Sequence, residues 1–179
     1  MALDHTEQGF EAAIEDSLLA AGYTRGDAAG FDAALALWPA TVLRFLRESQ
    51  PEAWDKLARM HGEAALPERL THLIAGALDA RGTLDVLRHG VTDSGVKLHL
   101  AFFRPASGLN PATLASYAAN ILTVTRQVHY SARDPAHSID VVLALNGLPI
   151  ATAELKCQWR SYSPQIGRLK IPHFVAACL

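Results

Sequence analysis

Disulfides, membrane spans and leader peptides find no support in this sequence. It holds two cysteines in 179 residues, Cys157 and Cys178. That is too few for a disulfide framework, and the spacing is not that of a zinc site, so a reducing compartment fits. No apolar run reaches the roughly 20 residues that cross a bilayer. The N-terminus has no basic segment followed by an apolar core and a small-residue cleavage site, and the expected location is the cytoplasm. Charge is sparse as well: Asp, Glu, Lys and Arg make up 19% of the chain, with a net charge of −2. There is therefore no global basic excess of the kind nucleic-acid binding favours, and any contact with DNA has to be local. No repeat of about 20 to 50 residues is visible. No G-x-x-x-x-G-K-[ST] loop occurs, so ATP binding is not expected of this chain. What is present is one domain's length of chain, half of it apolar, enough to bury a core.

Apolar spacing divides the chain into a helical first half and a strand-rich second. Asp4-x-x-Glu7 suits the cap of a first helix from about Thr6 to Ala21, with Phe10, Ala13, Ile14, Ser17, Leu18 and Ala21 on one face and Gly22 at its end. Glu11 and Glu15 lie four apart on its flank, which on spacing alone reads as solvated. Tyr23 to Gly30 reads as a polar loop, followed by a short helix from Asp32. Pro39, Pro51 and Pro67 open three further helices, since proline suits a first helical turn. Trp38, Trp54, Leu73 and Leu78 read as core.

From Thr83 the period becomes two. Leu84 to His89 and Val96 to Phe102 read as a hairpin joined through Thr92-Asp93-Ser94-Gly95, with Leu98, Leu100 and Phe102 inward and Lys97 and His99 outward. This places Arg88 near His99. The basic face so formed suits either contact with phosphates or the charged edge that blocks aggregation. Zinc at His89 and His99 lacks a third ligand at suitable spacing. Phe103 to Pro111 reads as loop, Ala112 to Asn120 as helix and Leu122 to Tyr130 as strand. The polar residues Arg126, Gln127 and His129 on that strand fit internal hydrogen bonds and DNA-backbone contacts equally well.

The chemistry concentrates in the last hairpin. In the stretch Ser138 to Lys156 two β-branched and aliphatic runs flank Asn146-Gly147, a strong signal for chain reversal. Asp140 falls on the first strand, Glu154 and Lys156 on the second, the latter two sharing a face because they are two apart. A two-residue loop would set Asp140 against Ala153. A three-residue loop, Asn146-Gly147-Leu148, or an equivalent bulge sets it against Glu154, and this arrangement is expected. Opposed carboxylates repel, and a neighbouring lysine offsets that only in part. A divalent cation completes the balance, and Mg²⁺ suits one or two carboxylates with waters and phosphate oxygens. On these residues alone a second reading stays open, in which the three charges satisfy one another at a sheet edge.

Asp140, thirteen intervening residues and Glu154-x-Lys156 resemble the signature of the PD-(D/E)xK nuclease superfamily, with Ile139 where that name has proline. The stretches around it extend the likeness: Leu87-Arg88-His89-Gly90-Val91, Lys97-Leu98, Ala101-Phe102-Phe103-Arg104-Pro105, Tyr117-Ala118-Ala119-Asn120, Thr125-Arg126-Gln127-Val128-His129-Tyr130-Ser131, Asn146-Gly147-Leu148-Pro149. From about His5 to about Trp159 the chain resembles the N-terminal endonuclease region of the restriction (R) subunit of type I restriction-modification enzymes. The resemblance implies a mixed α/β, restriction-endonuclease-like sheet flanked by helices, with an N-terminal helical segment. It implies Mg²⁺-dependent cleavage of double-stranded DNA, with Asp140, Glu154 and the Leu155 backbone carbonyl as metal ligands. Lys156 would position or help deprotonate the attacking water. Because such nucleases often bring a helix-borne acid near the metal, Glu11 or Glu15 becomes a secondary candidate. Arg88, Lys97, His99, Arg126 and Gln127 are candidates for DNA contact. The implied partners are DNA and the modification and specificity subunits, with no membrane; ATP enters only through motor lobes that this chain lacks.

After Lys156 the family continues with Asn, a polar loop and a helix bearing Gln and an aromatic, which Cys157-Gln158-Trp159-Arg160 and its continuation do not match. The expected division is residues 1–82 as the helical part of the nuclease domain, 83–159 as its β-rich catalytic core and 160–179 as a divergent tail, from a shifted frame or an early stop. That departure supports a rival, a catalytically silent remnant or a module that docks DNA or partner subunits. A stand-alone repair nuclease of the same superfamily is a further alternative.

Overall fold

The computed structural model describes residues 7–131 and 137–155. Along these the chain runs α1 (Glu7–Ala20), β1 (Thr24–Arg25), α2 (Pro39–Ser49), α3 (Pro51–His61), α4 (Leu66–Arg81), α5 (Thr83–His89), β2 (Val91–Asp93), β3 (Val96–Leu98), α6 (Pro111–Ala118), β4 (Leu122–His129), β5 (Ser138–Leu145) and β6 (Leu148–Ala153). One sheet has the order β1-β4-β5-β6, with β1 parallel to β4 and the other pairs antiparallel. The other is the β2-β3 hairpin. The architecture is mixed α/β, as expected, and no helix among the described residues is long and apolar enough to cross a membrane.

Prolines open α2 and α3 and stand in the first turn of α4, where the missing N–H costs nothing. Each helix then turns one apolar stripe inward. Val42, Phe45 and Leu46 of α2, Trp54 and Leu57 of α3 and Leu66, Leu70 and Ile74 of α4 form one core with Leu98, Leu100 and Leu148. Leu148 opens β6, so the last hairpin is rooted in the helical half. On the far side of the large sheet, Trp38 packs with Val128, Val142 and Ala144, meets the Phe31 ring at a tilt of 55° with centroids 4.7 Å apart and donates its indole N–H to the Asp27 carbonyl at 2.8 Å.

Three elements differ from their sequence reading. Thr83–His89 is a helix, not a strand. Asp85 stands in its first turn and Arg88 and His89 in its last, a polarity that complements the helix dipole. The consecutive residues Val86 and Leu87 both enter the core, which a strand facing that core on one side could not achieve. The hairpin accordingly starts at Val91 and turns through Ser94 and Gly95 alone, both at positive φ. Arg88 is therefore not paired with His99 across a ladder, although Lys97 and His99 do face outward from buried Leu98 and Leu100. Asp32 starts no helix: its Oδ1 accepts from the N–H groups of Ala34 at 2.9 Å and Leu35 at 3.0 Å, closing a turn bridged by Leu37. Within the expected loop Tyr23 to Gly30, Thr24 and Arg25 instead add the short parallel strand β1 to the sheet.

Asp93, 5% exposed, ties the hairpin to the helices. It accepts both arms of the Arg69 guanidinium at 2.7 and 2.6 Å, and His61 Nε2 lies 3.2 Å away. The Arg69 hydrogen bonds outweigh burial and hold the Asp93 carboxyl below its ordinary range. A lowered native pKa contributes stability above the ordinary value of about 4 and loses it as pH falls through the native value. The parent is thus expected to be more stable than Arg69→Met at neutral pH, with the gap shrinking below about pH 4. Urea unfolding across that range tests this; a gap independent of pH would count against it.

Candidate functional site

Of the two devices expected for the last hairpin, the structure shows the bulge. The loop is the two residues Asn146 and Gly147, at φ 53° and 83°, between paired Leu145 and Leu148, not the three-residue loop. Ala144 then faces Pro149, but Leu143 faces Ala151, leaving Ile150 as an extra residue in a bulge. Pro149 has no N–H to offer the ladder, and a bulge beside it is where such a residue is tolerated. Past the bulge Val142 faces Thr152 and Val141 faces Ala153. β6 ends at Ala153; extended by one residue, the same register would set Asp140 against Glu154, which follows the strand.

Asp140 is held from two sides. Its Oδ2 accepts the Leu155 N–H at 2.6 Å and its Oδ1 accepts from Gln127 Nε2 at 3.3 Å. Gln127 sits between the β4-β5 pairs Arg126–Val141 and Val128–Ile139, and it has φ 51°. This left-handed residue switches the faces of the strand: Val124 packs with Val141 and Leu155 beneath α1, whereas Val128, four residues on, packs with Trp38. The switch turns the Gln127 amide toward α1, where Nε2 donates to Glu11 Oε1 at 2.8 Å, while its Oε1 accepts from Ser138 Oγ at 2.8 Å.

Glu11 and Glu15 do not form a solvated flank; they are 3% and 5% exposed. Arg126 binds Glu11 at 3.0 Å and approaches Glu15 at 3.6 Å, and Arg25 on β1 forks onto Glu15 at 2.9 and 3.1 Å. The buried stripe of α1 is Glu11, Ile14, Glu15 and Leu18, while Phe10, Ala13 and Ser17 of the expected apolar face are exposed. Two arginines on neighbouring strands make a charged stripe the inward one, information that the period of the helix does not carry. Glu15 in turn raises the pKa of Arg25, first by its hydrogen bonds and then by its charge.

One hydrogen-bonded chain therefore joins Glu11, Arg126, Gln127 and Asp140. Glu154 is exposed at the end of β6, and Leu155 is buried against Val124 and Val141. Lys156 lies outside the described residues, as does the tail from 160 to 179. Arg88, Lys97 and His99 belong to α5 and to the β2-β3 hairpin with its continuation. The His99 backbone exchanges two 2.8 Å hydrogen bonds with the Gln50 amide, and burial, followed by the charge of Lys97, pulls its imidazole below the ordinary value. Sequence reasoning did not find Ser138 and Arg25; a serine opening a strand and an arginine in a loop-like stretch have no spacing that points to the site.

Asp140, on β5, and Glu154, just after β6, are oxygen donors of the type a hard divalent cation takes. Among the described residues no three His, Cys, Asp or Glu side chains converge as a ready metal cluster. Both Glu11 oxygens are engaged by Arg126 and Gln127.

These features define a mixed α/β domain that carries one acidic residue on β5 and another just after β6, with a buried acid on a flanking helix. Residues 86–174 match the family described as the type I restriction enzyme R protein N terminus, and over this stretch, about half its length, the chain belongs to that family. The matched stretch starts at residue 86 and runs to 174, past Trp159, where the likeness was expected to stop. No curated protein and no solved structure matches the chain.

Proposed function

We propose that this chain is the Mg²⁺-dependent DNA-cleaving domain of a type I restriction system, acting in the cytoplasm on double-stranded DNA with the modification and specificity subunits. The observation that carries the reading is the bulge at Ile150, which shifts the β5-β6 ladder so that Val141 faces Ala153; extended by one residue, that register would set Asp140 against Glu154. A conventional two-residue hairpin would have set it against alanine. Asp140 and Glu154, with the Leu155 carbonyl, are the residues that would hold the cation. Bound Mg²⁺ supplies charge neutralisation on the phosphate oxygens and a more acidic water. The Leu155 N–H holds Asp140 Oδ2, and Oδ1, which accepts from Gln127, would be the oxygen offered to the cation. Lys156 would orient the attacking water or take part in its deprotonation. ATP-driven translocation belongs to motor lobes outside this chain.

Isothermal titration calorimetry with Mg²⁺ at low salt, on the parent, Asp140→Ala and Glu154→Ala, tests the reading together with plasmid nicking. Saturable binding and nicking are expected in the parent, and both are expected to be lost in each variant. Binding without nicking would favour the silent reading, an intact site without the family's helix and motor, which the departure from the family sequence after Lys156 supports. No binding by the parent would overturn the metal site.

A further inference from the structure

We propose that Gln127 is a positioning residue of this site: its amide nitrogen holds Glu11 and Asp140 together, and is the partner these carboxylates give up when a divalent cation binds. The inference rests on Asp140 being a cation ligand, as read above.

Four observations support it. One nitrogen lies 2.8 Å from Glu11 Oε1 and 3.3 Å from Asp140 Oδ1, and an amide NH₂ has two hydrogens, one for each acid. Ser138 fixes which end of the amide faces them, because its hydroxyl donates to Gln127 Oε1 at 2.8 Å. Glu11 is 3% exposed, so water is a poor substitute for that donor. Finally, the backbone at Gln127 has φ 51°, a conformation that L residues other than Asn and Asp seldom adopt and that persists where surrounding contacts demand it. The left-handed turn is what sends the side chain to the α1 face, toward Glu11.

A donor between two carboxylates lowers the energy of the metal-free protein. If the carboxylates exchange that donor for a cation, the contact competes with binding, and its removal strengthens binding by the free energy it contributed. A hydrogen bond to a charged group is sufficient for roughly a tenfold effect. A side chain that only supported the fold would do the opposite, since loosening a site weakens it.

The test is Mg²⁺ titration calorimetry on the full chain, comparing the parent with Gln127→Ala and Gln127→Gly, alongside thermal melts with and without Mg²⁺. Glycine accepts positive φ without strain, so Gln127→Gly removes the amide while sparing the backbone and decides the question should Gln127→Ala not fold. The expected result is binding about tenfold tighter than the parent's, with a lower Tm without metal and a larger rise in Tm on adding it. Equal or weaker binding by Gln127→Gly overturns the role of Gln127 and leaves the metal site standing, provided that the parent binds and Asp140→Ala does not. No binding by the parent overturns both.

Discussion

Asn146→Ala is expected to destabilise the protein by about 4 kcal/mol, most of it from hydrogen bonds that no other group can replace. Asn146 is fully buried. Its Oδ1 accepts the Ile121 N–H at 2.7 Å, and its Nδ2 donates to the Leu100 carbonyl at 2.8 Å and to Asn120 Oδ1 at 3.0 Å. Asn120 in turn binds the backbone of Phe102 through both ends of its amide, at 3.1 and 2.6 Å. One turn residue thus knits the start of β4, the segment after β3 and the hairpin that bears Asp140 and Glu154. Alanine would leave a buried N–H and a buried C=O unpaired, at about 1 to 3 kcal/mol each. It would also hold φ 53° without the local hydrogen bonding that lets asparagine tolerate it, at about 1 kcal/mol more. Asn146→Gly should recover only that last part. Urea unfolding followed by the fluorescence of the buried Trp38 and Trp54 measures both variants. A loss under about 1 kcal/mol for Asn146→Ala would show that the network is not what anchors the turn.

Gly147→Ala and Gly95→Ala should differ sharply although both occupy hairpin turns at positive φ, 83° and 77°. A Cβ on Gly147 would sit 2.8 Å from the Trp38 carbonyl, 2.8 Å from Val42 Cγ2 and 2.9 Å from Val42 N, while one on Gly95 would meet nothing within 4 Å. Gly95→Ala is therefore expected to cost about 1 to 2 kcal/mol, the conformational penalty alone. Gly147→Ala adds the displacement of backbone at the start of α2, where the Trp38 N–H donates to the Gly147 carbonyl at 2.9 Å. Its total should reach about 3 to 4 kcal/mol, as an overpacked core position would. Equal losses at the two glycines in denaturant melts would mean that the turn is not docked on α2.

Where helices are opened by proline and face the core with one stripe, the sequence is a sufficient guide. Pro39, Pro51 and Pro67 marked α2, α3 and α4, and Trp38 and Trp54 lie in the core as their neighbours implied. The sequence was misleading at Thr83–His89, where a seven-residue segment offers too few positions to separate a period of two from one of 3.6. It was also misleading along α1, where Phe10 looked like core and Glu11 and Glu15 looked like surface.

By itself the sequence determined the chain reversal at Asn146-Gly147, because few residue pairs accept two successive positive φ values. It likewise determined that Asp140 lies on the first strand of that hairpin, whereas Glu154, expected on the second, follows its end. Only the tertiary structure decided their register, since the bulge at Ile150 depends on how β6 pairs with β5 and not on the turn alone. It also decided that Glu11 lies inward. A carboxylate is buried only where a cation or donors await it, and Arg126 and Gln127 stand more than a hundred residues away along the chain.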